Sequence, residues 1–293
     1  MNPTPPMLLI PYWRGLVASL LMITASLASA AEFSGPAQPL VIGDTLMLAS
    51  PTLGETRRIN VYAPPGYAED KAVRLPVLVM PDGGVAEDFL HVAGLMQVGV
   101  ANGTVRPFLL VGIENTQRRR DLTGPTNQDG DRKIAPRVGG SAAFRTFIRE
   151  ELLPAIATRY RVTDERALMG ESLAGLFVVE TWVLEPQLFS TYIAFDPSLW
   201  WNAGQLTPTA QAALRQRKGV APRLYLATSS EPGIVTPAQA FVAMLTRELA
   251  PASTWHHQPM PQETHGTIYH PAALLALRQL FKPAPAVAGG TPP

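Results

Sequence analysis

Ser172 stands in the stretch Gly170-Glu171-Ser172-Leu173-Ala174-Gly175, with the apolar run Arg166-Ala167-Leu168-Met169 leading in and Leu176-Phe177-Val178-Val179 leaving. This pattern predicts a strand, a sharp turn and a helix, the arrangement of a nucleophile elbow. Strained backbone there makes a serine hydroxyl stand clear at the carboxyl end of a sheet. Small residues are needed at Gly170 and Ala174, where strand and helix close on each other. An isolated serine hydroxyl is a poor nucleophile at neutral pH, so the elbow gains meaning only if the chain also supplies a base, an orienting acid and donors for a developing oxyanion.

Five histidines are available, at positions 91, 256, 257, 265 and 270. His265, in Glu263-Thr264-His265-Gly266-Thr267, falls in the last loop before a C-terminal helix, where the chain order Ser, acid, His puts the general base. His256 and His257 read as strand residues and His270 as the start of a helix. Two carboxylates end strands between Ser172 and His265. Glu231 follows the run Arg223 to Thr228 and is the favoured acid, with Asp196 after Thr191 to Phe195 as the alternative. Either could hold the imidazole by its Nδ1 hydrogen. The oxyanion donors are expected from the amide of Leu173, at the start of the elbow helix, and from Gly83 and Gly84 in the loop after the strand ending at Met80.

Strands and helices must alternate to place these groups together. Thr45 to Pro51 and Thr56 to Ala63 read as a two-stranded hairpin, since Arg57 to Tyr62 alternates polar and apolar. Leu75 to Met80, Phe108 to Ile113, Thr191 to Phe195 and Arg223 to Thr228 are continuous apolar runs expected where helices cover both sheet faces. Helices are expected over 86–98, from a Ser141 cap to Tyr160, and over 207–216, 236–249 and 270–281, with a short outlying strand at 254–258. The alternation predicts an α/β fold with a mostly parallel central sheet and helices on both faces. Residues 115–140 show no apolar periodicity, and a connection this long in a compact domain points to function.

Composition narrows the function classes. The chain has 293 residues, of which 46% are hydrophobic and 16% charged, which suits one catalytic domain over residues 31–282. Arg14, the apolar run 15–27 and Ala28-Ser29-Ala30 fit a cleaved secretory signal over residues 1–30, which implies a periplasmic or secreted protein without a membrane anchor after cleavage. Cleavage removes one base and no acid, so Lys plus Arg falls from 24 to 23 and equals Asp plus Glu. That balance argues against nucleic acid as a partner. Cysteine is absent, excluding a thiol nucleophile and disulfides, and the histidine spacing matches no metal motif. No cofactor or metal is expected, and the Pro- and Ala-rich stretch 283–293 reads as a disordered tail.

With elbow, acid, His and double-Gly loop in place, the chain resembles the esterase D and siderophore-esterase branch of the α/β-hydrolases, over roughly residues 56–282. That branch includes S-formylglutathione hydrolases, secreted mycolyltransferases and catecholate siderophore esterases. The blocks that carry the resemblance are Leu75 to Gly84, Ile113 to Thr123, Gly170 to Phe177, Phe195 to Asn202 and Glu263 to Thr267. Ala174 departs from the usual Gly, and Glu231 from the more common Asp. The resemblance implies an α/β-hydrolase fold and a serine carboxylic-ester hydrolase working through an acyl-enzyme on Ser172 with His265 as base. Its specialised form is a catecholate trilactone siderophore esterase. An acyltransferase and a non-catalytic binding protein on the same fold are the alternatives. Arg118 and Arg120 in the long loop, with Trp200 and Trp201 after the neighbouring strand, would suit a small anionic, aromatic ester.

Overall fold

The computed structural model describes residues 33–249 and 254–283. Its strands are β1 (Asp44–Ser50), β2 (Glu55–Tyr62), β3 (Leu75–Pro81), β4 (Leu109–Ile113), β5 (Val162–Glu171), β6 (Thr191–Phe195), β7 (Arg223–Thr228) and β8 (Trp255–Pro259). The helices are α1 (Phe89–Ala101), α2 (Arg118–Asp121), α3 (Asp129–Lys133), α4 (Ser141–Phe147), α5 (Leu153–Arg159), α6 (Ser172–Leu184), α7 (Trp201–Gly204), α8 (Leu206–Gln216), α9 (Pro232–Glu248) and α10 (Tyr269–Leu280). The compact unit that carries all of them begins at Ile42, and residues 33–41 hold no helix or strand. The expected signal, residues 1–30, and residues 284–293 of the expected tail lie outside the described residues.

The strands form one sheet in the order β1-β2-β4-β3-β5-β6-β7-β8. β2 runs antiparallel to β1 and β4, and the other neighbours are parallel. β3, β4 and β6 are buried along their whole length, as continuous apolar strands must be when helices cover both faces. Alternate strand residues feed two cores. Val79, Val111, Leu168 and Ala194 pack with Phe147, Phe177 and Phe241 from α4, α6 and α9, whereas Met80, Leu110, Met169 and Ile193 pack with Phe89 and Met96 of α1 and Leu277 of α10. The sheet is therefore the doubly covered α/β sheet that the alternation predicts. From β3 the chain leaves to β4 on one side and then returns to β5 on the other, which opens a crevice at the carboxyl ends of β3 and β5.

Several boundaries differ from the sequence reading. α9 starts at Pro232, four residues early, because a proline at the first helical position has the right φ and no amide to satisfy. Ser141 is not a cap. Gly140 takes the cap position, and the buried Ser141 Oγ has no hydrogen-bond partner. The helical stretch that follows is broken by a π turn at Ile148–Leu152. The long segment 115–140 contains α2 and α3, each too short to leave a period in the sequence.

Arg57 of β2 anchors that segment to the sheet. Its guanidinium is 0% exposed and reaches Asp121 at 2.5 Å, Thr116 at 3.1 Å and the Glu114 carbonyl at 2.9 Å. Removing one member of a buried ion pair strands the other charge. Arg57→Ala is expected to lower stability by about 3–5 kcal/mol, read as the shift in the midpoint of urea unfolding.

Candidate active site

Three residues that directly follow parallel strands take left-handed backbone although none is glycine: Asp82 after β3 (φ 55°), Ser172 after β5 (φ 60°) and Asp196 after β6 (φ 41°). Such conformations persist only where the surroundings enforce them. At Ser172 the enforcement is visible. A Cβ on Gly170 would lie 2.7 Å from the Ala174 methyl, and one on Gly175 would lie 2.9 Å from the Phe195 carbonyl oxygen. Helix and strand are in contact there, and even a methyl at Gly170 is excluded. The turn thus lifts Ser172 into the crevice.

The Ser172 hydroxyl lies 3.0 Å from His265 Nε2, and His265 Nδ1 lies 3.1 Å from Asp196 Oδ2. With Nδ1 protonated and donating to Asp196, Nε2 is left to accept the serine proton. The His265 loop is braced by Thr267, which receives the Thr264 amide and donates to the Glu263 carboxylate, and Glu263 in turn accepts through its carbonyl oxygen from the Ser230 amide. Asp196 is fully buried and fixed by Ser229, which donates its amide at 2.6 Å and its hydroxyl at 2.5 Å. The hydrogen bond to Asp196 is the main influence that raises the His265 pKa above its ordinary value, and burial opposes it.

The favoured acid of the sequence reading, Glu231, is not in this chain of contacts. It occupies the cap position of α9, its side chain is exposed, and its amide donates to Ser229 Oγ. Asp196 has the contact because β6 ends beside the elbow strand, whereas Glu231 lies three residues beyond the end of β7, one strand further out. A second carboxylate that sequence reasoning left without a role, Glu171, approaches His265 Nδ1 to 3.3 Å. Its position beside the nucleophile was the available signal. For Ser229 the signal was its place in the Thr228-Ser229-Ser230 run closing β7.

The oxyanion expectations divide. Leu173 is the second residue of α6, so its amide is among those with no partner inside the helix. The Gly83 amide is engaged, donating to the Ile113 carbonyl at 3.0 Å, because β3 and β4 stay paired through a backbone approach that only glycine allows. The Gly84 amide donates to Glu87 Oε2 at 2.7 Å within the turn that leads to α1. Gly84 can serve an oxyanion only when Glu87 moves aside, and Gly83 is excluded by its ladder bond.

The charged block of the long segment is mostly engaged with the protein itself. Arg118 pairs with the buried Asp82 through two bonds of 2.7 and 2.8 Å, and Asn115 joins it at 2.5 Å, so both residues hold the Asp82-Gly83-Gly84 loop. Arg120 bonds Glu55 and Asp121. Trp201 is buried with its indole donating to the Gly124 carbonyl, so it is a core residue, while Trp200 is 38% exposed. Trp201 is therefore corrected from a substrate contact to a core residue, and Arg120, like Arg118, is held by carboxylates of the protein. A cleft of about 650 Å³ remains beside the block, with Arg118, Arg119, Arg120 and Arg137 on its wall. Among the described residues no group of three or more His, Asp or Glu could hold a metal ion, and no helix is long and apolar enough to cross a membrane.

Residues 50–260 match the family described as "Putative esterase". The chain belongs to this esterase family. It is 38% identical over 111 residues to the ferri-bacillibactin esterase BesA of Bacillus subtilis and 36% identical over 106 residues to the siderophore triacetylfusarinine C esterase of Aspergillus fumigatus. These alignments cover 36% and 34% of this chain and the same shares of those proteins, about a third of their length. An IroE-like serine hydrolase from Shewanella oneidensis superposes with a TM-score of 0.75 at 26% identity, over 82% of this esterase chain and 80% of that one. The α/β-hydrolase-type fold of this family is the fold described above.

Proposed function

We propose that this esterase-family chain is a serine ester hydrolase whose substrate is an anionic siderophore ester of the catecholate trilactone kind. The observation that carries the reading is the relay from Ser172 Oγ through His265 to the buried Asp196 at 3.0 and 3.1 Å. Ser172 attacks the ester carbonyl while its proton passes to His265 Nε2. The negative charge that grows on the carbonyl oxygen meets the Leu173 amide at the positive end of α6. His265 returns the proton to the departing alkoxide, leaving an acyl-serine and an alcohol. Water then attacks the acyl-serine with His265 as base, releasing the carboxylic acid and restoring the hydroxyl.

The siderophore assignment rests on two supports. Several relatives carry siderophore esterase names, and a cleft whose wall includes Arg118, the partner of Asp82 after β3, is lined by arginines. Among the described residues Arg137 has no ion pair or hydrogen bond, and the Arg119 side chain bonds only the Ile134 carbonyl, so these two are the cations of the cleft wall left to meet an anionic substrate. The leader at residues 1–30 fits export to the periplasm or medium.

The test is a panel of a plain aryl ester, a tricatecholate trilactone and its ferric complex. The trilactones are expected to show the higher kcat/KM. Added salt and an Arg119→Ala/Arg137→Ala double variant should depress trilactone turnover more than aryl ester turnover, because charge attraction is screened. A chain that turns over none of the three, and is not labelled by a fluorophosphonate, would not be a serine hydrolase.

A further inference from the structure

Glu171 is the residue just before the nucleophile, and its side chain is 15% exposed at the end of β5. Its Oε1 lies 3.3 Å from His265 Nδ1, against 3.1 Å for Asp196 Oδ2. That oxygen is buried and accepts no hydrogen bond. A buried carboxylate oxygen without a donor is costly, and natural proteins seldom leave one unless it serves a purpose. Asp196 is bound on both oxygens by Ser229, whereas Glu171 has no such brace, so a small turn of the imidazole would hand the Nδ1 hydrogen from Asp196 to Glu171.

We propose that Glu171 is a positioning residue for the esterase reaction, a second carboxylate that stabilises the His265 imidazolium and serves as the alternate acceptor of its Nδ1 hydrogen. It rests on the reading of Ser172 and His265 as nucleophile and base. While the Ser172 proton resides on the ring, the cation faces two carboxylates, one rigid and one adjustable, and their combined field holds the proton until the leaving group takes it.

The same contact makes activity depend on two ionisations. Burial pushes the Glu171 carboxyl up to about 7, with His265 and Arg118 pulling it down and Asp196 and Asp82 adding to the rise. Tyr269 of α10, whose hydroxyl is buried without a partner, also lies within the field of Glu171. His265 is raised as well, and the Glu171 charge is among the causes. As pH falls, Glu171 becomes neutral and its support of the imidazolium is lost while His265 itself protonates. Both changes reduce activity, so the acid limb should be steeper than one proton allows.

The experiment compares wild type, Glu171→Gln, Asp196→Asn and the double variant, using the pH dependence of aryl ester kcat/KM and of fluorophosphonate labelling of Ser172. Glu171→Gln should lower kcat about tenfold with little change in KM, flatten the acid limb to a single proton and move it to lower pH, since one pKa unit is a tenfold change in the proton equilibrium. It should also shift the downfield Nδ1 proton resonance of His265. In the Asp196→Asn background, removing Glu171 should cost further activity, because the standby acceptor is then the main one. An unchanged limb and resonance in Glu171→Gln, together with a double variant equal to Asp196→Asn, would overturn the proposal. Failure of wild type to label would instead refute the serine hydrolase reading itself.

Discussion

Ser172→Ala is expected to lower kcat by about 10⁶-fold, since a nucleophile and base that act as a unit lose nearly everything when one is removed. The geometry makes the loss specific. Among the described residues Ser172 is the only one whose hydroxyl bonds His265, and the hydroxyl of Ser229 donates to Asp196. Alanine fits the elbow, as Cβ is retained and only the oxygen is removed, so the variant should fold and bind substrate with KM little changed. Steady-state turnover of an aryl ester and the mass of fluorophosphonate-treated protein give the measurement. Wild type should gain one adduct and the variant none. Residual activity near wild type would place the nucleophile elsewhere.

The second large effect is expected from Asp196→Asn. An asparagine there presents an amide whose hydrogens face Nδ1, which favours the imidazole tautomer with its proton on Nε2 and removes the base from the serine. The loss expected for that tautomer change is about 10⁴-fold in kcat, and the Glu171 contact sets how much activity survives. Asp196 is the first cause of the raised His265 pKa, so the acid limb of kcat/KM should also move down in pH. The sign follows from the base having to be neutral. In wild type, activity rises as pH passes through the raised value, and without the Asp196 charge that passage occurs earlier. Glu231→Gln, placed at an exposed helix cap, is the matched control and should remain within about twofold of wild type, as surface substitutions usually do.

Much of this was legible in the chain. The elbow could be read because a nucleophile turn needs small residues at fixed spacing, and Gly170, Ala174 and Gly175 meet backbone or methyl groups within about van der Waals contact. β3, β4, β6 and β7 could be read because double burial demands unbroken apolar runs. Which carboxylate meets His265 could not, since Asp196 and Glu231 both follow strands, and only the sheet order puts β6 rather than β7 against the elbow strand. The role of the Arg118 to Asp121 block was hidden for a related reason. Its charges look like a solvated or ligand-binding face, yet their partners Glu55 and Arg57 of β2 and Asp82 just after β3 lie 36 to 65 residues away along the chain. The double glycine marks Gly84 as an expected donor, but no sequence rule reveals that Glu87 already holds its amide.

The three left-handed residues at the ends of β3, β5 and β6 carry a further meaning for how this protein can change. Each such residue costs on the order of 1–3 kcal/mol, and together they amount to a sizeable fraction of the roughly 5–15 kcal/mol by which a domain outlasts its unfolded state. Glycine at Asp82, Ser172 or Asp196 would relieve that cost and, on the proposed mechanism, remove the chemistry with it. Stability gained without loss of the proposed reaction is therefore expected from substitutions away from these three positions, such as on the outer faces of α1, α8 and α9.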